Sequence, residues 1–102
     1  MKLTEAQRKN LKKQAHQMKP VIIVGNAGIT KSLLAELNST IEHHELIKVK
    51  INVGERDARD AAIDQIVKAS NSLLVGRVGH IATLYRAPKK GSKKEARIKL
   101  PK

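Results

Sequence analysis

Residues 47–53 read Ile-Lys-Val-Lys-Ile-Asn-Val, apolar and polar in strict alternation. Successive side chains of a strand point to opposite faces, so this run has one face for a core and one of Lys48, Lys50 and Asn52. Val21-Ile22-Ile23-Val24 is a different kind of strand. It is wholly apolar and β-branched, and it reads as a buried central strand that ends at Gly25-Asn26-Ala27-Gly28.

Helical signals fall between the strands. Thr4-Glu5-Ala6-Gln7 has capping-box spacing and opens a helix that runs to His16 or Met18, ahead of Pro20. At ~100° per residue, Leu3, Gln7, Leu11, Gln14, Ala15 and Met18 share its packing side, with Arg8, Lys9, Lys12, Lys13, His16 and Lys19 opposite. Thr30 is placed to cap a second helix with Leu33, Leu34, Leu37 and Ile41 at apolar spacing, ending near His43-His44. After Gly54, Asp57 or a neighbour opens a third helix that ends at Asn71-Ser72. Ala58, Ala62, Ile63, Ile66 and Val67 face inward, and Asp57, Asp60 and Asp64 are acidic. Leu73–Val78 and Ile81–Arg86, joined around Gly79-His80, form a terminal hairpin. The order α-β-α-β-α-β-β predicts one domain over residues 1–102: an α/β sandwich around a mixed four-stranded sheet. Residues 87–97 lack apolar periodicity and are expected to be a mobile basic tail.

Charge bounds the function. The 102 residues carry a net charge of +12, against the ~2–8 that keeps a small domain soluble. Residues 1–19 hold Lys2, Arg8, Lys9, Lys12, Lys13 and Lys19 against Glu5. Residues 86–102 hold Arg86, Lys89, Lys90, Lys93, Lys94, Arg97, Lys99 and Lys102 against Glu95, while the segment between is neutral. A neutral core with two cationic flanks is the footprint of a polyanion-binding protein. Tyr85 is the sole aromatic residue, which excludes modules that stack several bases on rings. There is no cysteine, hence no disulfide, thiol nucleophile or cysteine-ligated zinc. No stretch approaches the ~20 apolar residues of a membrane span, and a cytoplasmic protein is expected.

Gly25-Asn26-Ala27-Gly28 joins a strand to a helix. Glycines let backbone approach a ligand closely, and the N–H groups opening the next helix favour an anion such as phosphate. Val21 to Thr30, with Glu45-Leu46-Ile47-Lys48-Val49-Lys50, the ending Leu84-Tyr85-Arg86 and the terminal Ile98-Lys99-Leu100-Pro101, resembles the CRM domain, the chloroplast RNA splicing and ribosome maturation family, in its small stand-alone bacterial form. The resemblance implies a fold similar to the C-terminal domain of translation initiation factor 3 and a GxxG loop that clamps RNA backbone. It also implies ribosomal RNA in precursors of the large subunit as the partner. Many such loops carry a lysine between the glycines; here Asn26 and Ala27 stand there, so contacts rest on backbone N–H groups, Asn26, Thr30 and Lys31. The flanks (Arg8, Lys9, Lys12, Lys13 and Lys19) then supply more of the affinity, and the Lys48/Lys50 face either extends the footprint or is a solvated sheet face.

The remaining chemistry is thin. His43 and His44 project about 100° apart on a helix and lack metal-ligand spacing. Thr30, Ser32, Ser39 and Thr40 have no base and orienting group beside them, so no catalysis is expected. Neither a cofactor nor a membrane partner is implied, and a monomer is expected. The competing expectation is a structural ribosomal protein of the mature particle, which a small α/β core with basic tails also suits.

Overall fold

The computed structural model describes residues 3–25 and 28–87. Its elements are α1 (Glu5–Ala15), β1 (Ile22–Val24), α2 (Lys31–His44), β2 (Leu46–Ile51), α3 (Arg56–Ser70), β3 (Leu73–Val78) and β4 (Ile81–Tyr85). The expected order and fold class stand. Of the tail expected to be mobile over residues 87–97, Ala87 packs against the core; the rest of it, with the final Ile98-Lys99-Leu100, lies outside the described residues.

The sheet order is β1-β2-β4-β3. β1 runs parallel to β2, while β4 is antiparallel to both β2 and β3. Alternation then sorts the side chains into two cores. Ile22 and Val24, Ile47, Val49 and Ile51, and Ala82 and Leu84 meet Leu37 and Ile41 of α2 and Ile63 and Ile66 of α3. On the opposite face Leu46, Val75 and Tyr85 meet Leu11 and Ala15 of α1. Leu11 and Ala15 lie four apart on one helical face, and Leu3, Met18 and Ala87 pack around them.

Three readings of the sequence need correction. β1 is an edge strand, not a central one: Ile22 and Val24 are buried, but Val21 and Ile23 are 48% and 60% exposed. A continuous apolar run predicts two covered faces, and α1 lies against β2 and β3 instead. Gln14 is exposed and bonds Asn10 on the surface rather than packing. Ala58 is also exposed, because α3 begins at Arg56 with Glu55 as its N-cap and its inward face starts later. Tyr85, the sole aromatic residue, packs in the core with 2% exposure. The helix starts fare well: Thr4 and Gln7 form the reciprocal capping box, and the Thr30 hydroxyl accepts from the Leu33 N–H at 3.1 Å.

Burial first, and then the negative charge of Glu45, push the Tyr85 phenol above its ordinary pKa. The folded state therefore holds the Tyr85 proton to higher pH than the unfolded chain. Stability from this group is fully present below about pH 10, the unfolded value, and is lost as pH rises through the folded value. Because Tyr85 is the only tyrosine, tyrosinate absorbance reads it directly. Its midpoint should lie above that of the urea-unfolded chain, and Tyr85→Phe should flatten the alkaline fall in stability. Equal midpoints would contradict the assignment.

Candidate functional site

The loop after β1 is closed by a hydrogen bond from the Gly28 N–H to the Gly25 carbonyl, 3.0 Å. Gly28 has φ +74°, a left-handed conformation that suits glycine, and a Cβ there would meet nothing within 4 Å. Backbone conformation, not space, is what requires glycine. The Gly28 N–H is spent on this turn and does not point outward to an anion, so the backbone contacts expected of the loop lose that donor. Asn26 and Ala27 lie outside the described residues.

α2 starts three residues beyond Gly28. The N–H groups of Lys31 and Ser32 have no acceptor within a helix beginning there. Glu5 and Asp57 stand in the first turns of α1 and α3, whereas α2 has no acid in its first turn. It carries exposed Lys31 instead, a cation against the positive end of the dipole, an unfavourable placement of about 0.3–1 kcal/mol. An anion at that end reverses the sign. Thr30 is committed as the cap.

The cationic arc of α1 divides. Lys9 and Lys13 are exposed. Arg8 is not a free cation of that arc: its Nη1 donates to the carbonyls of Leu74 (2.9 Å) and Val75 (3.0 Å), where β3 slips register between Leu74 and Gly76. Lys12 turns over the sheet. A Cβ on Gly76 would stand 2.7 Å from Lys12 Cε, so the missing side chain lets the lysine stem lie across β3. Lys12 and His16 there border a groove of about 220 Å³ with Lys48, Gly76, Val78 and Thr83. Lys48 is half-buried, Lys50 is exposed on the same sheet face, and Lys19 is exposed ahead of Pro20.

Arg86 is also withdrawn from the basic flank in which the sequence placed it. Its Nη1 donates to Asn38 Oδ1 (2.9 Å) and the Ser70 carbonyl (2.8 Å), and its Nη2 donates to the Asn38 carbonyl (3.1 Å). The backbone carbonyl of Glu45, a residue buried at φ +67° as the C-cap of α2, accepts the Arg86 backbone N–H at 2.9 Å. Spacing gives no sign of this clasp, since Asn38 and Ser70 sit on different helices. His43 and His44 are exposed, with rings edge to face at 4.8 Å.

An α/β domain with a GxxG turn leading into a helix, and lysines on two adjoining surfaces, defines a class of small basic binding domain. A family model for the CRS1/YhbY (CRM) domain matches residues 3–86, and the chain belongs to that family. It is 43% identical over 98 residues to a Pseudomonas aeruginosa protein named "Probable RNA-binding protein", covering 96% of this chain and 94% of that one. It is 38% identical over 100 residues to a protein of Haemophilus influenzae named "RNA-binding protein", covering 98% and 96%. The solution structure of a Staphylococcus aureus protein superposes with a TM-score of 0.78 at 29% identity, covering 98% of this chain and all of the other.

Proposed function

We propose that the protein is a non-enzymatic RNA-binding factor that holds structured ribosomal RNA through its GxxG loop and basic flanks. It acts as a monomer in the cytoplasm, on precursors of the large ribosomal subunit. The observation that carries the reading is the Gly25–Gly28 turn set against the start of α2, an end with no acidic residue and an exposed Lys31. Names of relatives such as the Haemophilus influenzae protein favour RNA over other polyanions.

Single charges at the loop test it. Asn26→Asp should weaken RNA binding and Ala27→Lys should strengthen it, each by about fivefold, the scale of a unit charge at ~4 Å in water, ~1 kcal/mol. Gln65, exposed on α3, is the control; Gln65→Glu and Gln65→Lys should each shift affinity less than twofold. If Asn26→Asp binds as the parent does, the loop is only a turn. Crosslinking in cells with sequencing of the attached RNA, together with gradient sedimentation, addresses the particle. The protein should travel with large-subunit precursors, and its retention in salt-washed mature ribosomes would favour the structural role instead.

A further inference from the structure

The two helical layers do not cover the sheet equally. α1 covers the end carrying Leu46, Tyr85 and Leu73, which are aligned across β2, β4 and β3. Toward the other end of the same face, registers align Ile23, Lys50, Ile81 and Val78 in one row across all four strands. Ile23 is 60% and Val78 82% exposed. With Val21 on the adjoining row beside Lys48, these are the large exposed hydrophobics among the described residues. Single exposed apolar side chains need no explanation, but several on one sheet face do.

Charge says what covers them. Lys50 lies within the row, Lys48 behind it, and Lys12 and His16 on the α1 side, and no acidic residue lines the groove between α1 and this face. The row also stands one residue before Val24, the last residue of β1, from which the chain enters the Gly25–Gly28 turn. At ~4.8 Å between strands the row spans about 14 Å.

We propose that this open half-sheet receives unpaired nucleotides of the RNA whose phosphate the adjoining turn holds, a proposal that rests on the RNA-binding reading above. Ile23, Ile81 and Val78 pack against exposed base faces, while Lys50, Lys48 and Lys12 meet the phosphates between them. A fully paired A-form helix presents sugars and phosphates and keeps its base faces stacked, so it offers this row no apolar partner. The surface thereby selects single-stranded over duplex RNA without an aromatic ring.

The test is the double variant Ile23→Thr/Val78→Thr, which keeps β-branching and charge and alters exposed positions only. A single-stranded RNA oligonucleotide and a blunt duplex of the same length are titrated at one salt concentration. The variant should lose about fivefold in affinity for the single strand, ~1 kcal/mol, with duplex affinity, salt slope and melting temperature unchanged. Equal changes for both RNAs, or none, would overturn the proposal. So would sedimentation showing a dimeric parent and a monomeric variant with unaltered RNA affinity, since the row would then join two copies. If the parent binds neither RNA, the RNA reading itself fails, an outcome distinct from all of these.

Discussion

Arg86→Ala is expected to lower the unfolding free energy by about 2–3 kcal/mol, the scale of hydrogen bonds from a charged donor in a partly buried site. In a domain of this size that is a fall of roughly 10 °C or more in melting temperature. The guanidinium donates to three acceptors, two on Asn38 of α2 and one at the end of α3. Truncation leaves the Ser70 and Asn38 carbonyls without those donors and unlinks the two helices from the end of β4. Arg86→Lys should recover less than half of the loss, because an ammonium cannot reproduce the planar fork. Urea unfolding followed by Tyr85 fluorescence measures both. RNA affinity of the folded Arg86→Ala protein should stay within twofold, which separates this cation from those that meet the partner. A loss below ~0.5 kcal/mol, the range of ordinary surface changes, would show the clasp to be incidental.

The triple variant Lys9→Gln/Lys12→Gln/Lys13→Gln carries the largest expected effect on binding. Each phosphate contact contributes ~0.7–0.9 to the slope of log affinity against log salt, so three lost contacts should flatten it by about 2–3. Near 0.1 M salt the same counterion release corresponds to weakening of roughly a hundredfold. Melting should hardly move, since Lys9 and Lys13 are exposed and the Lys12 stem crosses the glycine of β3. Arg8 is kept because its bonds to Leu74 and Val75 tie α1 to the sheet; changing it would mix a folding effect into the binding measurement. An unaltered slope would mean that the three lysines are only a solvated surface.

Most of the fold is legible in sequence because its signals are local. The alternation at Ile47–Val53, the Thr4 and Thr30 caps and the turn at Gly79-His80 each involve residues within a few positions of one another. Strand order is not local: β4 enters between β2 and β3, so no reading along the chain aligns Ile23 with Val78 or leaves Ile23 exposed. The loop of the candidate site is legible from its glycine spacing, but the use of the Gly28 N–H within the turn is not. Net charge misleads in one specific way. It counts Arg8 and Arg86 with the lysines, whereas folding takes one arginine from each basic flank and sets it on backbone carbonyls of distant segments. A forked planar donor serves two carbonyls at once, a distinction that a sum of charges does not contain.

The position of β1 also governs which part of the molecule opens first. It has three residues and one strand neighbour, whereas β2 lies between β1 and β4. Segments with few partners open with free energies well below that of global unfolding. Amide exchange should therefore be faster in β1 and the first turn of α2 than in β2 and β4. A ligand confined to the turn between β1 and α2, such as a single phosphate, would slow exchange there and leave the β3–β4 hairpin almost untouched, whereas RNA that also covers Ile81 and Val78 would slow it in both. The pattern of protection gained would thus locate occupancy of the loop without altering a single side chain.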